Sequence, residues 1–122
     1  MSFKNNDGVV KISDDVLVAI VQTATLEIDG VYSVSTSFAG EIIGKFGKKS
    51  NFKGISILNE ENKFTININL IIKQDYKLLE VAENVQNKVK TALENMAGLD
   101  IKKVNINIVS IEIDKNTNKK ED

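Results

Sequence analysis

The chain has no cysteine, histidine, tryptophan or proline, and all sixteen of its basic residues are lysine, so arginine is missing as well. These absences exclude Cys–His and Ser–His–Asp nucleophile systems, thiolate and imidazole metal sites, and the bidentate guanidinium grip on carboxylate or phosphate. There is no disulfide framework, so the composition asks for no oxidising compartment. An excess of one charge is lacking too. Sixteen lysines against seventeen acidic residues leave a formal charge of -1, and no global field draws the chain toward phosphate backbones or anionic lipid. No apolar run approaches the ~20 residues that span a bilayer. The start, Met1 to Asp7, lacks the basic segment and apolar core of a secretory signal. The expectation is a cytoplasmic protein with no integral membrane segment. The residue chemistry names no catalytic residue, cofactor or metal.

What is present describes one ordinary domain: 122 residues, 42% hydrophobic and 27% charged, enough to bury a continuous core. That domain is expected over residues 8–113, after a polar leader (1–7) and before a tail (114–122) with no apolar residue to hold it, expected to be disordered. Gly8-Val9-Val10-Lys11-Ile12 reads as a short strand. Ser13 then caps a helix whose first turn carries Asp14 and Asp15 and whose apolar stripe is Leu17, Ile20, Val21, Ala24 and Ile28, with Gly30 closing it. Val31 to Thr36 is a strand. Gly54 to Leu58 and Phe64 to Ile72 form a hairpin around the polar turn Asn59 to Asn62. A second helix buries Leu78, Ala82, Val85, Val89, Ala92, Leu93 and Met96 and ends at Gly98. In the final strand the alternation of Val104, Ile106 and Ile108 slips to Ile111 and Ile113, which predicts a β-bulge near Val109 and Ser110. The order β-α-β-β-β-α-β implies an α+β two-layer sandwich, with both helices on one face of a mainly antiparallel sheet. Thr65, Asn67, Asn69, Asn105 and Asn107 then face water on the other side.

From Phe38 to Lys53 the periodicity fails, which predicts a long mobile loop. Its apolar groups Phe38, Ile42, Ile43, Phe46 and Phe52 alternate with Lys45, Lys48, Lys49 and Lys53. Either several of these apolar groups fold back to seal one end of the core, or the loop is a docking surface for a protein or a lipid headgroup layer. The candidate interaction residues are Phe38, Ile42, Ile43, Lys45, Phe46, Lys48 and Lys49. Gly44-Lys45-Phe46-Gly47 has the form of the G-x-x-G clamp that KH domains place between two helices, but a lysine cluster and a strand follow it here. RNA binding is therefore the weaker reading, and nucleic acid is not the expected partner. A phosphate-binding P-loop fails, because Ile42 stands where that motif requires glycine. Asp14-Asp15 and Glu60-Glu61 are explained by the helix dipole and by turn preference. Tyr32 and Tyr76 read as partly buried rings with wet hydroxyls. The outward asparagines suit either cross-strand pairing or a flat contact with a second copy of the chain.

The segments Gly8-Val9-Val10-Lys11-Ile12-Ser13, Glu27-Ile28-Asp29-Gly30-Val31, Lys53-Gly54-Ile55-Ser56-Ile57, Val81 to Val89, Met96-Ala97-Gly98-Leu99 and Val104 to Ile108, taken in that order, give the chain a family likeness. It resembles the alkaline shock protein family, the envelope-stress proteins of Gram-positive bacteria. It departs from the family's pattern where Gln74-Asp75 replaces a Tyr-Gly pair, where Leu79 replaces a proline, and where Ala97 stands in place of the commoner Thr. The resemblance implies an abundant, non-enzymatic cytoplasmic protein without cofactors. It also implies action through protein contacts in the cell-envelope stress response or in envelope and lipid homeostasis. A membrane-anchor protein that recruits the chain to the membrane surface is the expected partner, and a homo-oligomer is the second arrangement to consider.

Overall fold

Ser13 sits in extended backbone and its hydroxyl accepts from the Val16 amide (3.4 Å), which starts helix α1 (Asp14–Leu26). A second helix, α2 (Leu78–Ala97), ends on Gly98 in the left-handed conformation, φ 67°, with the Gly98 and Leu99 amides returned to the Glu94 and Leu93 carbonyls. In this computed structural model, residues 2–35, 50–52 and 54–113 are described, with backbone alone for 50–52. Seven strands accompany the helices among the described residues: β1 (Ser2–Asn5), β2 (Gly8–Lys11), β3 (Val31–Val34), β4 (Ser50–Phe52), β5 (Ile55–Glu60), β6 (Lys63–Lys73) and β7 (Asp100–Glu112).

The eleven-residue β6 organises the sheet. On one side it pairs in parallel with β7 along its whole length. On the other side it pairs antiparallel with β5 over Lys63 to Ile68 and with β3 over Leu70 to Ile72. β3 and β5 therefore share an edge of β6 and meet at Asn69, which accepts from the Ser35 amide (2.8 Å) and donates to the Gly54 carbonyl (3.0 Å). β4 lies beyond β5. One face of β6, Phe64, Ile66, Ile68, Leu70 and Ile72, is buried with Ile55 and Ile57 of β5 and with Leu17, Val21, Val85, Val89 and Leu93 of the helices in a single apolar cluster. The α+β two-layer expectation stands: both helices lie on that face.

The order differs from β-α-β-β-β-α-β by two strands. The segment expected as a polar leader carries β1, paired antiparallel with β2. The Asn5-Asn6-Asp7-Gly8 turn makes this possible, the Asp7 amide donating to the Asn5 side chain (2.8 Å). The last part of the expected loop 38–53 carries β4, paired with Ile55 to Ile57. Helix α1 stops at Leu26, before Gly30, whose positive φ belongs to the turn into β3. The expected tail 114–122 and residues 38–49 of the expected loop lie outside the described residues.

The hairpin is as expected. Glu61 and Asn62 both have positive φ (55° and 68°), the backbone that a two-residue turn between twisted strands requires. The bulge near Val109 is present as a register shift between Leu70 and Ile71. A second shift leaves Lys102 opposite no residue of β6, so Ile101 and Val104, three apart, are both buried while Lys102 and Lys103 both reach water.

The inner stripe of α2 is rotated from the expected one. Val81 and Ala97 join Ala82, Val85, Val89 and Leu93 inside, whereas Leu78 is 39% and Met96 70% exposed. Residues at intervals of four (Val81, Val85, Val89, Leu93) hold the sheet, and this displaces the apolar residues on either flank. The N-cap of α2 is Lys77, which makes no side-chain cap hydrogen bond. Lys77→Ser would form a capping box with Glu80, three residues on, and is expected to stabilise the fold by about 1 kcal/mol, read from chemical denaturation. Asp75, just before the second helix, has φ 74°. A left-handed non-glycine residue costs roughly 1–2 kcal/mol and glycine loses roughly 0.5–1 in chain entropy, so Asp75→Gly should gain about 0.5–1 kcal/mol in the same measurement.

Candidate functional site

Two surfaces of the described residues have distinct chemistry, and neither contains any of the seven residues singled out in the sequence. Phe38, Ile42, Ile43, Lys45, Phe46, Lys48 and Lys49 all lie outside the described residues. What is described is where that segment departs and returns. Ser35 is buried at the end of β3, and Gly54 packs directly against its carbonyl.

The first surface is a cleft of about 480 Å³ between α1 and α2, on the side of the helices away from the sheet. Helix α1 lines it with Val16, Ala19, Ile20, Thr23 and Ala24, and Glu27 follows at the helix end. Helix α2 supplies Lys88, Ala92 and Met96, which lie at intervals of four and so share one side. Alanines open the cleft, because at Ala19, Ala24 and Ala92 no side chain reaches across the gap between the helices. At one end Lys88 donates to Glu27 across the helices (3.2 Å), with both side chains about half exposed. Such a pair contributes at most about 1 kcal/mol. The other end is open and apolar, with Val16 48% and Met96 70% exposed. Spacing alone assigns Ile20, Ala24, Ala92 and Met96 to the core; Ala24 is buried there and Ile20 and Ala92 pack partly buried against it, while Met96 is turned out to the cleft. The signal for the cleft is the breadth of the apolar stripe on both helices, wider than one sheet contact uses.

The second surface is the open face of the sheet. The expected outward asparagines pair across strands: Asn105 donates to Asn67 (2.9 Å), Asn107 to Asn69 (3.2 Å), and Asn67 to the Ser56 hydroxyl (3.5 Å). Asn67, Asn105 and Asn107 thus each donate to a neighbour's oxygen, and the face is polar and uncharged along these rungs.

Among the described residues no group of three or more acidic, histidine or cysteine side chains converges as a metal site would require. No helix among them is long and apolar enough to cross a membrane. The cleft offers shape and apolar contact with a single ion pair at its rim, a surface for seating side chains.

Residues 2–113 match the family model of alkaline shock protein 23, described as having a cell envelope-related function. The chain is 32% identical over 107 residues to the uncharacterized protein YqhY of Bacillus subtilis, covering 88% of this chain and 79% of that one. It is 32% identical over 109 residues to the uncharacterized protein Spy1535 of Streptococcus pyogenes, covering 88% and 82%. It is 27% identical over 108 residues to the uncharacterized protein YloU of Bacillus subtilis, covering 87% and 90%. No solved structure matches.

Proposed function

The chain belongs to the alkaline shock protein 23 family, whose function is cell envelope-related, and from that premise we propose that it is a non-catalytic interaction protein of envelope stress or envelope and lipid homeostasis, acting through protein contacts near the membrane. The observation that carries this reading is the interhelical cleft. It spans Val16 to Glu27 along α1 and its C-cap, twelve residues, or roughly 16 Å at helical rise. That is the length of three turns of a partner helix. The proposed occupant is an amphipathic helix of a membrane-associated protein. Its apolar side chains, three and four residues apart, enter the alanine-lined gap, and a charged group at one end meets the Glu27–Lys88 pair. The loop residues Phe38, Ile42, Ile43 and Phe46 with Lys45, Lys48 and Lys49 are proposed as a second contact region. Deleting residues 40–49 tests them separately from the cleft.

The rival reading, an RNA clamp at Gly44 to Gly47, lies outside the described residues and draws no support from the sheet. Its open face presents asparagine amides where base stacking would require aromatic rings.

A photo-crosslinking residue in place of Met96, with a control at Glu61 on the β5–β6 turn, tests the proposal in cells. The same envelope protein should be captured from position 96 and not from position 61. Ala92→Glu, which puts a charge into the cleft, should lower recovery with the membrane fraction by on the order of tenfold. A folded Ala92→Glu chain that keeps its membrane-fraction recovery overturns the reading.

A further inference from the structure

Strand β7 is thirteen residues long and, among the described residues, pairs on one side only, with β6. A long open edge is a template for another strand unless something blunts it. Here most of the blunting devices fall in its first part: the bulge at Lys102, the adjacent Lys102 and Lys103, and the Gln86 side chain, which donates to the Val104 carbonyl (2.9 Å); the bulge at Val109 is the one that falls later. From Asn105 to Ile113 the only charged residue is Glu112. Over the same stretch the cover on its core side fails progressively. Ile106 and Ile108 are partly buried, and Ile111 and Ile113 are 43% and 46% exposed.

We propose that the outer edge of β7 pairs antiparallel with β7 of a second copy, joining two sheets into one across a two-fold axis at Asn107. Charge selects this occupant and this direction. Positive residues (Lys102, Lys103) stand at one end of the edge and a negative one (Glu112) at the other, and the bulge sets Val109 and Ser110 together opposite Asn105, so a two-fold about Asn107 sets Lys103 beside Glu112 of the second copy. The same axis sets Ile106 beside Ile108 of that copy and brings the two Asn107 residues together, so apolar groups cover one another and the amide ladder continues across the junction. Pairing in the parallel direction would put lysine beside lysine. The inference is independent of the cleft, which lies on the outer side of the helices.

The test uses the full chain, which contains no native cysteine. Light scattering across the micromolar range should give a particle of twice the 13.5 kDa chain mass. Asn107→Cys should form a disulfide with itself under mild oxidation, as closely opposed antiparallel residues permit, while Met96→Cys in the cleft should not. Lys103→Glu alone and Glu112→Lys alone should each weaken the dimer on the order of tenfold, and the double exchange should restore it, an outcome that a mere loss of folding does not give. A monomer at all concentrations overturns the proposal. So does a dimer that crosslinks through position 96 and not through 107.

Discussion

Gly54→Ala is expected to be the most damaging alanine substitution among the described glycines, with a loss on the order of 3–5 kcal/mol. Two independent causes add. Gly54 has φ +83°, backbone that an alanine enters only under strain. Its Cβ would also fall on the Ser35 carbonyl oxygen, with the carbonyl carbon and the Val34 side chain each at 2.8 Å. Neither backbone can retreat, because the Ser35 amide and the Gly54 carbonyl are both bonded to Asn69 in the middle of β6. The substitution must therefore separate β3 from β5 or break both from the central strand. Differential scanning calorimetry should show the melting midpoint falling by roughly 10–20 °C for a domain of this size. Gly98→Ala is the control. It also has positive φ (67°), but nothing lies within 4 Å of the added carbon, so its loss should stay near about 1 kcal/mol. Equal losses at the two positions would mean that backbone strain alone matters and that the Ser35–Gly54 approach does not.

Much of this architecture is legible in the sequence because period and punctuation agree. Ser13 before Asp14-Asp15, the alternation from Phe64 to Ile72, Gly98 after Ala97, and the phase slip at Val109 each have a local cause, and each is found in place. What is not legible depends on partners distant in sequence. Nothing in Asn105 or Ile106 says that β7 runs parallel to β6; that follows from α2 carrying the chain back along the sheet before β7 begins. The bulge at Lys102 is visible afterwards in the three-residue spacing of Ile101 and Val104, but a pair of lysines reads just as well as a strand end. Strand β1 owes its existence to the turn at Asn5 to Gly8 more than to its single apolar side chain, Phe3. The cleft is hidden for a different reason. Apolar periodicity reports that a helix face is out of water, not whether it faces a sheet or a second helix that leaves a gap.

That ambiguity yields the second large effect. Leu93 and Met96 both belong to the apolar stripe of α2 by spacing, yet Leu93 is 0% exposed in the central cluster and Met96 is 70% exposed at the open end of the cleft. Leu93→Ala removes buried methyl groups from a site packed between α2 and the sheet, and the surrounding strands are held by their own hydrogen bonds and close in only partly. The expected loss is about 3 kcal/mol, measured by urea denaturation with an unchanged slope. Met96→Ala removes a side chain already largely in water and exchanges it for a better helix former, so stability should stay within about 0.5 kcal/mol. The pair separates what folds the protein from what it offers to others. If Met96 forms part of a partner-binding cleft, its alanine variant should melt normally and still lose capture at the envelope, whereas Leu93→Ala should lose both together as the fold weakens. Comparable stability losses for the two variants would place Met96 in the core and remove the cleft as a binding surface.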